Sequence, residues 1–269
     1  MPEGLELARE YHHNLPQHIR AYLRRARGIS DEPIDHRLLG WNGSRITIPI
    51  FDREGNLTSF KLAKDPEDKT DSPKMLATPG AHAELYDCQT CWPRPEQIII
   101  CEGEFDRLML ESRGFAAVTS TGGAATFRPE WVEAFSDIPT IYMCFDNDAA
   151  GRAGAERVAQ LIPRARIVQL PAEVGESGDV TDFLVRLGRS RQELPARGGP
   201  TAPAGRAGAA SAIRCLSSGP SLRRHRRARF YHFAQDFQRR NVRKQISSTY
   251  APVAGPPPLS RLQCFARAL

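Results

Sequence analysis

The chain has 269 residues, 41% of them hydrophobic, and a formal net charge of +6. That is enough chain for one large domain or two ordinary ones with a real core. No run of about 18 apolar residues occurs, so a membrane span is not expected. The first fifteen residues are charged and lack the apolar centre of a secretory signal. Six irregularly spaced cysteines (Cys88, Cys91, Cys101, Cys144, Cys215 and Cys264) do not describe a disulfide framework, and a reducing cytoplasmic setting is expected.

The charge is unevenly placed. Of the 37 Lys and Arg, 16 lie in residues 189–269, leaving 21 in residues 1–188. Of the 31 Asp and Glu, only Glu193 and Asp236 lie in that tail, leaving 29. An acidic body of about −8 precedes a tail of about +14. A protein of this kind needs local basic strips or metal ions to approach phosphates.

Residues 1–40 read as helical, with a break at Asn14-Leu15-Pro16. The spacing predicts a helix over 17–27, ended by Gly28, with Ile19, Tyr22, Leu23 and Ala26 on one face. Arg20, Arg24, Arg25 and Arg27 flank that face and read as a solvated basic surface. Two alternating segments, 45–50 and 57–62, flank the turn residues 52–56 and predict a hairpin. A polar loop follows, then extended or turning chain at Pro73-Lys74-Met75-Leu76 and Thr78-Pro79-Gly80.

From residue 97 strands and helices alternate. Strands are predicted at 97–101, 116–119, 140–145 and 165–170, and helices at 105–113, 129–135 and 149–161, with a last helix over 182–187. Strands separated by helices of this length make a parallel sheet with crossover helices. Beyond Gly188 the periodicity stops, and Pro, Gly, Ala, Ser and Arg dominate. Residues 189–269 are expected to be a disordered basic tail without evolved structure of its own, or a tail that binds nucleic acid.

The ends of the predicted strands are acidic. The first leads into Cys101-Glu102-Gly103-Glu104-Phe105-Asp106, the third into Asp146-Asn147-Asp148, and the fourth toward Gly178-Asp179-Val180-Thr181-Asp182. In parallel α/β sheets functional groups gather at the carboxyl ends of strands. Converging carboxylates repel unless a cation sits among them. Oxygen ligands of this kind suit Mg²⁺, which usually takes one or two carboxylates plus water and substrate phosphate. That is the chemistry of phosphoryl transfer. A lone acid at such a place is more often a helix cap or a solvated loop residue, and Asp148 is well placed to cap the helix that follows it. Three acidic clusters on three strand ends are harder to explain that way.

The run Glu102-Gly103-Glu104-Phe105-Asp106, followed by Asp146-Asn147-Asp148-Ala149-Ala150-Gly151-Arg152, resembles the Toprim signature as bacterial DnaG-type primases and phage primase-helicases carry it. Thr121-Gly122-Gly123 fits the Gly-rich segment between the two, and Asp179 to Asp182 resembles the third acidic motif. Upstream, Tyr22-Leu23, Ala26-Arg27-Gly28-Ile29, the strand 44–50, Pro73-Lys74-Met75-Leu76 and Leu85-Tyr86 resemble the basic half of a primase core.

The resemblance implies a mixed α/β architecture. A basic α+β subdomain (residues 1–93) would precede a Toprim domain with a central parallel sheet flanked by helices (94–188), and the tail would follow (189–269). It implies catalytic Mg²⁺ or Mn²⁺ on Glu102, Asp146 and Asp148, with Asp106 and Asp182 as accessory acids and Asp179 a weaker candidate. Arg45, Lys74 and Arg152 would contact nucleotide or DNA phosphates. The implied activity is synthesis of short RNA primers on a single-stranded DNA template from ribonucleoside triphosphates. A replicative helicase and a zinc-binding domain in trans are the implied partners, and a mobile genetic element is a fitting source. Toprim nuclease activity and a non-catalytic DNA-binding fragment are the alternatives. Zinc is not expected on this chain: Cys88 and Cys91 form one pair with no second pair nearby. A topoisomerase is not expected, because Tyr231 and Tyr250 stand in the patternless tail. The lysine that the family places before Leu-Tyr is replaced by Ala81-His82-Ala83-Glu84.

Overall fold

Proline punctuates the first forty residues. Helix α1 (Pro2–His13) ends before Asn14-Leu15-Pro16, and Pro16 stands in extended backbone as the residue before α2 (Gln17–Arg25). Ile19 and Leu23, one turn apart on α2, are fully buried, whereas Ala26 lies past the helix end and is exposed. Helix α3 (Asp31–His36) opens with Asp31 and Glu32, whose charge complements the helix N-terminus. The computed structural model describes residues 2–52, 54–86, 94–196 and 198–200.

The predicted hairpin is present and forms the middle of a four-stranded antiparallel sheet. Its strands are β1 (Gly40–Trp41), β2 (Arg45–Phe51), β3 (Leu57–Lys64) and β4 (Met75–Ala77), in that order. Asp52 closes the β2–β3 turn by accepting the amide of Asn56 at 2.8 Å. Strand β2 is buried on both faces from Ile46 to Ile50, so the alternation there divides two interiors.

The second sheet has six strands in the order β10-β9-β8-β6-β7-β5. They are β5 (Leu85–Tyr86), β6 (Gln97–Cys101), β7 (Ala117–Ser120), β8 (Thr140–Cys144), β9 (Arg166–Val168) and β10 (Gly198–Pro200). The four inner strands are parallel and both edge strands antiparallel. Helices α4 (Glu104–Ser112) and α5 (Ala149–Leu161) follow β6 and β8. The short α6 (Glu193–Ala196) precedes β10.

The period-2 rule sorts the core. Ile99 and Cys101 of β6 pack with Leu108 and Met109 of α4, and that cluster continues into Ile19, Leu23, Ile46 and Ile48 of the first part. Ile98 and Ile100 face the other way, toward Ala155 and Val158 of α5.

Several expectations need correction. The boundary expected at residue 93 does not separate two cores, because one cluster runs from Ile19 to Phe183 and β5, expected in the first part, is an edge of the second sheet. The chain from 189 to 200 is not a disordered tail: it adds α6 and β10, which pairs with β9. Residues 129–135 coil as a 3₁₀ helix, whose three-residue repeat stacks partly buried Val132 over fully buried Phe135. Residues 182–186 form a wider π turn, closed by the Leu187 amide on the Asp182 carbonyl at 2.9 Å. The Cys88/Cys91 pair and the tail beyond residue 200 lie outside the described residues. Among the described residues no helix is long and apolar enough to cross a membrane.

Candidate metal centre

Strand β6 is the pivot of the second sheet. Its successor β7 lies on one side of it and β8 on the other. The chain therefore reverses direction of winding between β6 and β8, and a crevice opens outside their carboxyl ends. Cys101 pairs with Cys144 at the last rung, so Glu102 and Asp146 emerge side by side.

Backbone hydrogen bonds fix these acids. The Asp146 amide donates to Glu102 Oε2 at 3.3 Å, and the Thr119 hydroxyl donates to the Glu102 carbonyl at 2.8 Å. Asp148 caps α5, accepting the Gly151 amide on Oδ1 at 2.7 Å. The helix start is pressed against the acidic loop: a Cβ on Gly151 would fall 2.2 Å from the Asp146 carbonyl oxygen. Asn147 stitches that loop to the third acidic segment, its amide donating to the Gly178 carbonyl at 2.8 Å and its Nδ2 to that of Gly175 at 3.0 Å.

In the third segment Asp179 and Asp182 cap each other's amides, at 2.7 Å from the Asp182 amide to Asp179 Oδ1 and 3.3 Å in the other direction. Asp182 also accepts Arg186 Nε at 2.8 Å. Its carboxylate is thus occupied by local structure. The neighbouring Thr181 donates its hydroxyl to Asp106 Oδ1 at 2.6 Å.

The electrostatics follow from this crowding. Burial, then the charges of Glu102, Asp179, Asp148 and Asp182, push the Asp146 carboxyl up to about 7. Burial raises Glu102 as well, against the Asp146 amide that favours its charged form. Asp106 is enclosed, and burial together with Asp179 and Asp146 pushes it far above the usual carboxylate range. Asp179 is raised mainly by burial. Cys101 and Cys144, under the site, are raised by burial and by the acids above them, which makes them poor thiolates.

Crowded carboxylates of this kind are relieved when a cation sits among them. Among the described residues, however, no three His, Cys, Asp or Glu side chains close into a ready-made metal cage. The donor set fits a hard ion such as Mg²⁺, which is held by one or two carboxylates and completes its shell with water and substrate phosphate. It does not fit a structural zinc site.

The expected phosphate contacts are dispersed. Arg45 is tied to the backbone of its own sheet, its Nη1 donating to the Pro73 carbonyl at 2.9 Å and toward that of Leu62 at 3.4 Å. Lys74 is exposed beside β4. Arg152 is exposed on α5 and, with Asp146, Asn147, Glu156 and Gln169, lines a cleft of about 300 Å³ between α5 and β9. Two further cations reach the acidic elements. Lys61 Nζ stands 3.3 Å from Glu104 Oε1. Arg27, expected on a solvated surface, is folded inward: its Nε donates to the Tyr22 hydroxyl at 2.8 Å, it stacks 5.0 Å from the Phe105 ring, and its charge acts on Asp106 and Asp179. The signal was the following residue. Gly28 has φ of 67°, and a Cβ there would meet Val185 at 2.5 Å, so the chain turns tightly against the helix after the third acidic segment.

Residues 99–184, an α/β domain of parallel strands with acids at its switch point, match the Toprim-like family. Around that domain the chain has the fold of a primase catalytic core. It superposes on the zinc-binding and RNA polymerase domains of the Aquifex aeolicus primase with a TM-score of 0.59 and 21% identity, over 73% of this chain and 60% of that one. It is 30% identical over 154 residues to a DNA primase of Pseudomonas putida, covering 53% of this chain and 23% of the relative. Gene 57 protein of Mycobacterium phage D29 is 29% identical over 117 residues, 44% of this chain and 74% of that protein. The chain therefore spans only about a quarter of the length of the Pseudomonas primases it matches.

Proposed function

We propose that the protein is a primase-type nucleotidyltransferase that makes short RNA primers on single-stranded DNA from ribonucleoside triphosphates. The observation that carries this reading is the convergence of Glu102, Asp146 and Asp148 on the crevice between β6 and β8. Asp179 stands within their field. The primase-core fold around them supports it.

In this reading Glu102, Asp146 and Asp148 hold Mg²⁺ or Mn²⁺. The bound ion supplies activation of the attacking hydroxyl and neutralisation of phosphate charge. The chain's own groups do the rest. Glu102 is held by the Asp146 amide, which ties its carboxylate to the loop that carries Asp146. Asp148 keeps one oxygen on its helix cap and offers the other. Asp106 and Asp182 act as supports: one is anchored to Thr181, the other to Asp179 and Arg186. Arg152 meets phosphate beside Asp146, and Arg45 and Lys74 meet phosphates of template or nucleotide on the first sheet. A zinc-binding domain and a replicative helicase are the partners in this reading, in the cytoplasm.

The test is primer synthesis by the full chain on single-stranded DNA with ribonucleotides and Mg²⁺ or Mn²⁺, beside Asp146→Asn. Metal-dependent short RNA lost in the variant is the expected result. Cleavage of plain DNA without nucleotides would assign the site to a nuclease instead.

A further inference from the structure

Lys61 belongs to β3, but its ammonium reaches the loops of the other sheet. It lies 3.3 Å from Glu104 Oε1 and donates to the carbonyl oxygen of Thr121. Glu104 opens α4 two residues beyond Glu102, and Thr121 follows β7 at the entrance to Gly122-Gly123. The pair is shielded, with side chains 14% and 7% exposed. Other cations of that sheet are engaged differently. Arg45 is tied to backbone carbonyls, and Lys64 meets Thr70 and Asp68 of its own loop. Among the described residues of β2 to β4, Lys61 alone is ion-paired to the loop that carries Glu102.

A shielded pair of this kind adds little net stability, because desolvation of both charges offsets their attraction. Its effect is to place a charge. Lysine is a point charge with three donors and is a common ligand of phosphate. Here two of the three are engaged, by Glu104 and by Thr121, and one remains. A phosphate group arriving beside Glu104 therefore finds an ammonium already held there by a carboxylate, with one donor to spare.

We propose that the Glu104 carboxylate is an internal stand-in for phosphate: it holds Lys61 in the free protein and yields it to the phosphate of an incoming nucleotide or of the template strand. Glu104 thereby sets how tightly phosphate binds, and it keeps the charge of Lys61 neutralised until substrate arrives. The primase reading enters only in naming the two sources of phosphate.

The test measures binding by the full chain of adenosine triphosphate and, separately, of a short oligodeoxythymidylate, both in metal-free buffer. Glu104→Gln keeps shape and removes the competing charge; it is expected to tighten binding about fivefold, a modest electrostatic gain. It should also steepen the salt dependence by about one charge, as one more phosphate contact would. Glu104→Asp, one methylene shorter, should change affinity in the same direction by less. The double variant Lys61→Met/Glu104→Gln removes both charges and should abolish the gain. Tightening toward the triphosphate alone assigns Lys61 to the nucleotide, and toward the oligonucleotide alone to the template. Folded Glu104→Gln that binds neither ligand more tightly, or a gain that persists in the double variant, overturns the proposal. Primer synthesis is scored apart: tightening without synthesis keeps the stand-in and sinks the primase reading, and synthesis with unchanged affinity does the reverse.

Discussion

Thr181 donates its hydroxyl to Asp106 Oδ1 at 2.6 Å, joining residues 75 positions apart in the chain. Both partners are buried, and the bond fastens the third acidic segment to the first turn of α4. Thr181→Val keeps the shape and leaves an enclosed carboxyl short of a donor, at a cost of about 1–3 kcal/mol. Chemical denaturation should show that loss. Mn²⁺ titration should show affinity weakened about tenfold, the usual scale for a group that orients metal ligands. Thr181→Ser should restore both, and an unchanged Mn²⁺ affinity in the valine variant would show that this bond does not locate the segment.

Asp146 is the acid whose removal should separate stability from activity. Its pKa in the folded chain, about 7, lies above the unfolded value of about 3.9. The folded state therefore holds the extra proton between those values. The associated stability is present below about pH 4 and is lost as pH rises through about 7. Without metal, Asp146→Asn should be more stable than the parent at pH 8, by on the order of 1 kcal/mol after solvent screening, and the difference should vanish at pH 4. Melting curves in chelator at the two pH values check this. Saturating Mg²⁺ should erase the advantage, because the parent alone gains from the ion.

Asp148 has two duties that two substitutions can part. Asp148→Asn keeps an oxygen for the Gly151 amide and removes the charge, so stability should hold while primer synthesis fails. Asp148→Ala should lose the cap as well, about 1 kcal/mol, with the same loss of synthesis. Equal melting temperatures for the two variants would mean that the cap contributes nothing.

Gly151 admits no larger residue. A Cβ would sit 2.2 Å from the Asp146 carbonyl oxygen, and 2.9 Å from the carbonyl carbon and amide nitrogen. Those are backbone atoms of the acidic loop and have nowhere to yield. Gly151→Ala should cost about 2 kcal/mol or more despite alanine's better helix propensity. A denaturation midpoint equal to the parent's would contradict this packing.

The acid-bearing strands were legible because each ends an apolar run, and α5 was legible to the residue because Asp148 caps a clear pattern. The edge strands β5 and β10, of two and three residues, are too short to show a period and depend on strands already in place. Arg27 looked like a surface charge because helix periodicity cannot report a contact made with Phe105 of another helix. The π turn at 182–186 was read as an ordinary helix, since its widening comes from packing Phe183 and Leu184 inward while Arg186 turns back to the Val174 carbonyl.

The strand order also bears on how the protein becomes active. Strand β6 cannot pair with β8 until the chain has passed through α4, β7 and the 3₁₀ helix, and the Asn147 tether needs residues 175–178. Such non-local pairings are late events in folding. During synthesis, then, the acids stay apart until nearly the whole sheet has left the ribosome. A nascent half-chain already holds the strands of the first sheet, with Lys61 still lacking the Glu104 carboxylate that pairs with it. The chemistry would switch on only with completion of the fold.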